Sequence, residues 1–179
     1  QLLAAHARLR KSLPDALLIL VPRHPDRFSS VAALLSRRDI KYVTRTQGVH
    51  CTPDTEVFLG DTMGEVPLFY AASDIAFVGG TLVPVGGHNL LEPAALGLPI
   101  VTGPHLFNTE DIAEMFSSVG ASLLVHNEIE LARTLLELFK NPENAQAIGN
   151  RGREIVRQNR GALERFLLLL QPLMQRIDA

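Results

Sequence analysis

The chain has 179 residues, 46% of them apolar, which is enough for one substantial core and within the usual size of a single domain. Its 17 basic and 19 acidic residues leave a net charge of -2, so no overall cationic field marks it for nucleic acid or an anionic membrane surface. The single cysteine, Cys51, excludes an internal disulfide and fits a reducing compartment, and the longest apolar runs, Ala16 to Val21 and Phe166 to Leu170, are far short of the roughly 20 residues that cross a bilayer.

The first stretch, QLLAAHARLRKSL, reads as a helix already under way, with Leu2, Leu3, Leu9 and Leu13 on a helical spacing and no capping Ser, Thr, Asp or Asn before it. It is expected to be part of a longer chain, with a strand preceding it. Ala16 to Val21 is a continuous apolar run ended by Pro22, the pattern of a strand buried on both faces. PDRFSSVAALLSRRD follows as a helix with proline in its first turn.

The alternation then continues: strands at Tyr42 to Thr44 and Val57 to Gly60, a helix near Val66 to Ala72, a strand at Ile75 to Val78, and a helix near Leu91 to Leu96. Next come a strand at Ile100 to Thr102, a helix at Thr109 to Ser118, a strand at Ser122 to Val125, and helices at Glu128 to Lys140 and Pro142 to Asn159. A last helix is expected after Gly161, with Leu163, Phe166, Leu167 and Leu170 as its buried stripe and Leu168 and Leu169 beyond it, available to pack on another domain. Thr46 to Asp54 reads as a loop linking strands at one edge.

Aliphatic strands separated by helices of about ten residues imply an α/β fold, a Rossmann-like doubly wound parallel sheet. In such sheets ligands bind beyond the carboxyl ends of the strands, so the strand-end loops are where chemistry is expected. Three are loaded: PRHPDRF, GDTMGE and the segment VGGTLVPVGGHNLLEPAALGLPIV.

In the first loop, Arg23 and His24 stand between a strand and a helix start. The planar guanidinium suits a phosphate or carboxylate, although Arg23 could equally pair with Asp26. In the second, the amides around Thr62, Met63 and Gly64 can cradle an anion, or Asp61 or Thr62 can serve as an ordinary helix cap.

In the third, Gly79 and Gly80 end a buried strand where a ligand or another backbone can approach, with Thr81 beside them, and Gly86 and Gly87 turn the chain into His88 and Asn89. Leu90 and Leu91 are expected to offer free amides. Asn89 and Glu92 have the spacing of a capping box, but Pro93 would then sit where the first intrahelical amide bond is needed. A helix starting later frees the Glu92 carboxylate for a ligand's hydroxyl pair, and that reading is favoured. The six histidines, His6, His24, His50, His88, His105 and His126, show no zinc-ligand spacing, and no Walker A, G-x-G-x-x-G or G-x-S-x-G motif occurs.

The blocks VPRHPDRF, GDTMGE, FVGGTLVPVGGHNLLEPAALGLPIVTGPH and FNTEDIAEMF together resemble the C-terminal domain of the bacterial 3-deoxy-D-manno-octulosonic acid (Kdo) transferases, which are GT-B glycosyltransferases. The resemblance implies that residues 1–179 are the donor-binding half of a GT-B fold, lacking its first strand and the loop that follows it. It implies CMP-Kdo as donor and a lipid A precursor as acceptor. The general base, the acceptor site and an inner-membrane anchor, with the active site facing the cytoplasm, would belong to an N-terminal domain outside this chain.

Carried onto these positions, the resemblance gives Arg23 the phosphate or sugar acid, and Thr62, Met63 and Gly64 the nucleotide pocket. Asn89 with the amides of Leu90 and Leu91 takes the phosphate, and Glu92 the ribose. His24, Gly79, Gly80, Thr81 and His88 complete the expected binding set, and no metal or other cofactor is implied. The alternatives are a GT-B enzyme using a UDP-sugar and a non-catalytic nucleotide-binding domain.

Overall fold

Apolar runs of three or four residues bounded by turn-formers become short parallel strands, and the amphipathic stretches between them become covering helices. The computed structural model describes residues 1–159 in the order α1 (Leu2–Arg10), β1 (Leu18–Leu20), α2 (Phe28–Arg37), β2 (Tyr42–Thr44), β3 (Val57–Leu59), α3 (Val66–Ala71) and β4 (Ala76–Phe77). It continues with α4 (Leu91–Ala95), β5 (Ile100–Thr102), α5 (Glu110–Ser118), β6 (Ser122–Leu124), α6 (Glu128–Lys140) and α7 (Pro142–Asn159). The helix expected after Gly161, with Leu163, Phe166, Leu167, Leu168, Leu169 and Leu170, lies outside the described residues.

Every strand pair is parallel, as expected, but the hydrogen bonding divides the strands into two sheets of three, ordered β1-β3-β2 and β4-β5-β6. No ladder joins β1 to β4 among the described residues. Helix α1 bridges the two halves instead. Its Leu3 packs against the cluster of Leu35, Val57 and Leu59 on the first sheet, while Leu2 and Ala5 join the cluster of Val101, Val125 and Leu131 on the second. β2 reaches β3 through residues 45–56, the edge link foreseen, and at about a dozen residues it is as long as a parallel crossover requires.

β5 is the core of the second sheet, with Ile100, Val101 and Thr102 all buried. Successive strand residues point to opposite faces. Ile100 accordingly joins Val78, Leu90, Ala94, Phe116 and Ile155 on one side, and Val101 joins Ala5, Val125, Leu131 and Leu138 on the other. Each such aliphatic side chain stabilises the fold by roughly 1.5–3 kcal/mol when fully buried. Both faces are covered, which is the layer arrangement a parallel sheet needs.

α4 is short, and its position is fixed from far away in the chain by α7. Gly97 ends α4 at a φ of +74°, in the left-handed region that favours glycine. Gly149 of α7 packs directly on the Gly97 carbonyl, Gly152 lies against Ala94, and Arg153 Nη2 donates to the Leu96 carbonyl at 2.8 Å. These close approaches hold the helix that carries Glu92.

Candidate functional site at the carboxyl edge of the strands

Loops after parallel strands share one edge of a sheet, and here the loops after β1, β4 and β5 meet around a recess of about 530 Å³. Arg23 and His24 come from the first loop, Val85, Gly87, His88 and Asn89 from the second, and Asn108 and Thr109 from the third. Four expected residues, Arg23, His24, His88 and Asn89, are thus brought together across the gap between the two sheets. Asn108 and Thr109 were not singled out from the sequence, although FNTED follows a strand at the same edge. The Thr109 hydroxyl is buried and has no partner among the described residues. His105 lines a separate recess of about 600 Å³ with Phe107 and Leu124.

The β4–α4 segment owes its shape to ties with the loop after β5. Thr81 is fully buried; its hydroxyl donates to the Val78 carbonyl at 2.7 Å and accepts from the Gly103 amide at 2.7 Å. His105 donates its amide to the Thr81 carbonyl at 3.0 Å, and Asn108 Nδ2 donates to the Val85 carbonyl at 3.1 Å. Thr81, expected to touch a ligand, therefore braces the loop, because both of its hydrogen-bonding directions are already used. Gly80 and Gly87 both have positive φ, and the Gly87 amide donates to the Gly80 carbonyl at 3.0 Å. The close approach at Gly80 is thus filled by backbone, whereas Gly79 faces the imidazole ring of His88.

Helix α4 begins at Leu91, with Leu90 as its N-cap, so Pro93 is its third residue and its missing amide removes no intrahelical bond. The reciprocal capping box is absent. Asn89 Oδ1 instead accepts from the Leu91 amide at 2.9 Å, and Asn89 Nδ2 donates to Glu92 Oε1 at 3.0 Å. The Leu91 amide, expected to be free, is therefore occupied by Asn89, and Leu90 is buried. Glu92 is released from backbone capping and oriented by the Asn89 amide. It also lies near α3, where burial first and the Glu92 charge second push the Tyr70 hydroxyl up.

The GDTMGE loop is stapled sideways to the loop after β2. Asp61 accepts from the Thr46 amide at 2.9 Å and from its hydroxyl, and Arg45 makes a two-pronged pair with Glu65 at 2.9 and 3.1 Å. Thr62 donates to Glu65 at 2.5 Å. Neither Asp61 nor Thr62 caps α3, whose N-cap is Glu65 with no side-chain bond. The hydrogen bonds from Arg45 and Thr62 hold the Glu65 carboxyl below its ordinary range. Met63 is 61% exposed and Gly64 has open space around it; with Thr62, they do not line the recess that holds Arg23.

Arg23 makes no ion pair with Asp26 or any other acid among the described residues. Its Nη1 lies 3.1 Å from His88 Nδ1. A guanidinium offers only donors, so Nδ1 is the acceptor and the imidazole is neutral with its proton on Nε2. Burial first, then the charges of Arg23 and His24, push the His88 pKa down, in keeping with that state. The recess is thus lined by a cation, two imidazoles and amides, with no carboxylate. Such a surface can hold an anion. Among the described residues no three His, Cys, Asp or Glu side chains converge as metal ligands, and no helix is long and apolar enough to cross a membrane.

Residues 1–155 match the model of the family described as glycosyl transferases group 1. A 3-deoxy-D-manno-octulosonic acid transferase of Haemophilus influenzae is 44% identical over 176 residues, 98% of this chain and 41% of that protein. One of Bordetella pertussis is 38% identical over 163 residues, 90% of this chain and 38% of that protein. The chain thus spans about two fifths of the length of these curated relatives. Among solved structures, the C-terminal CMP-Kdo binding domain of WaaA from Acinetobacter baumannii superimposes with a TM-score of 0.82 at 34% identity, over 87% of this chain and 81% of that one. With the family model matched over residues 1–155, most of its length, the chain belongs to the group 1 glycosyl transferases.

Proposed function

We propose that this chain is the donor-binding half of a Kdo transferase, which holds CMP-Kdo while Kdo is passed to a lipid A precursor in lipopolysaccharide biosynthesis. The observation that carries the reading is the recess shared by Arg23, His24, His88 and Asn89, cationic and free of carboxylates at the carboxyl edge of the strands. A CMP-sugar acid brings a phosphodiester and a carboxylate, and Arg23 can meet either. Transfer breaks the bond between the sugar's anomeric carbon and the CMP oxygen while an acceptor hydroxyl forms the new one. The CMP leaving group gains charge as it departs, and a fixed guanidinium opposes that charge where it develops.

With the Leu91 amide occupied and Leu90 buried, the phosphate contact falls chiefly to Arg23. Glu92, oriented by Asn89, suits the ribose hydroxyl pair, and exposed Met63 with Thr62 and Gly64 offers a face to the base. The acceptor, the general base and a membrane anchor on the cytoplasmic face of the inner membrane belong, in this reading, to the part of the longer protein outside this chain. The divided sheet fits it too. A strand preceding α1 would, by the right-handed crossover rule, lie beside β1 on the side toward β4.

Sugar transfer in the intact protein tests the proposal. CMP-Kdo should be used and UDP-sugars should not, and Arg23→Ala or Glu92→Ala should lower the rate at least about tenfold with folding intact. Turnover of a UDP-sugar would contradict the donor assignment. Unchanged rates in both variants would point to a non-catalytic nucleotide-binding domain.

A further inference from the structure

We infer that His88 is a positioning residue for Arg23 rather than a ligand contact. Arg23 stands on an exposed loop with no carboxylate to hold it. A long side chain in that setting samples many rotamers and loses that freedom each time it binds an anion. The only side chain that fixes it among the described residues is His88, through Nη1 to Nδ1 at 3.1 Å.

The chemistry of that acceptor matters. A carboxylate in the same place would orient the guanidinium but cancel its charge, leaving less attraction for a phosphate. A neutral imidazole orients Arg23 and leaves its full charge, with four of its five N–H donors free for the recess. His88 is itself held. Its ring rests against Gly79, and the Gly86–Gly87 turn just before it is tied to Asn108, whose amide donates to the Gly86 carbonyl at 3.2 Å.

The groups facing His88 are few: Arg23 and His24 from the loop after β1, uncharged Asn108 and Thr109 from the loop after β5, and uncharged Asn89 on its own segment. Protonation of His88 would remove the acceptor and set two cations against each other, and Arg23 would swing away.

The inference rests on the donor-anion reading of Arg23, and a double-mutant cycle on CMP binding to the intact protein separates the two. Arg23→Ala should weaken CMP binding at least about tenfold, and His88→Ala several-fold. In the double variant His88→Ala should add almost nothing, because its only effect passes through Arg23. His88→Gln, which keeps an acceptor and cannot gain a proton, should restore most of the affinity. His88→Asp should not restore it. Additive losses in the cycle, or a His88→Gln variant as weak as His88→Ala while both remain folded, would overturn the role of His88. An Arg23→Ala variant that binds CMP like the parent would instead overturn the donor-anion reading itself.

Discussion

Replacing Thr81 by valine tests whether the binding loop is held from beneath. The change keeps the shape of the side chain and removes the hydroxyl that donates to Val78 and accepts from Gly103, both at 2.7 Å, at a site with no solvent exposure. Two net hydrogen bonds of about 0.5–1.5 kcal/mol each are lost, and a buried Gly103 amide left without a partner raises the cost, for a total of about 2–4 kcal/mol. Thr81→Ser keeps both bonds and loses one methyl, about 0.8 kcal/mol plus any cavity term. Urea unfolding of the three proteins gives the comparison directly. The valine variant should also bind CMP more weakly, since the Gly79–Asn89 segment loses one of its ties to the loop after β5. A valine variant within about 0.5 kcal/mol of the parent, or serine costing more than valine, would refute the brace.

Gly149→Ala places a methyl group on the Gly97 carbonyl, a backbone atom that cannot swing aside, so α4 and α7 must separate. A loss of about 1–3 kcal/mol in denaturant unfolding is expected, with weaker CMP binding as α4 shifts; unchanged stability would contradict the close packing. Burial pushes the pKa of His6 down, and burial with the neighbouring cations does the same for His88, both from an ordinary value of 6.5. Between the lowered folded values and 6.5 the unfolded chain binds more protons than the folded one. Stability should therefore be level above about pH 7 and fall as the pH drops through and below 6.5, by urea midpoints taken across that range. His6→Gln should flatten part of that decline; a midpoint that rises on acidification would contradict the assignment.

The order of elements was legible because each strand is a short aliphatic run closed by glycine, proline or a polar turn, and each helix carries its apolar face at helical spacing. Leu18–Leu20, Val57–Leu59 and Ile100–Thr102 fall within the runs read from the sequence, and Pro93 located the start of α4 through the hydrogen bond it cannot make. The helix read from Pro25 is a short 3-10 turn, Pro25–Arg27, followed by α2.

What the sequence could not show depends on contacts between distant segments. The division into two sheets reflects which strands are neighbours, and strand composition does not encode that. The role of Thr81 depends on Gly103, 22 positions away, and the fate of Asp61 on Thr46. The pairing of Arg23 with His88 rather than Asp26 spans 65 positions. Asn108 and Thr109 were overlooked because an Asn-Thr pair before Glu-Asp reads simply as a helix start, and only the shared strand edge gives it another meaning.

The central claim is that Arg23 holds the anionic part of a cytidine nucleotide. Calorimetric titration of CMP and UDP into the intact protein and its Arg23→Ala variant tests it most directly. Saturable CMP binding that weakens at least about tenfold in the variant, with UDP failing to displace CMP, is the predicted result. Equal CMP affinity in parent and variant, or displacement of CMP by UDP at matching concentrations, would contradict it.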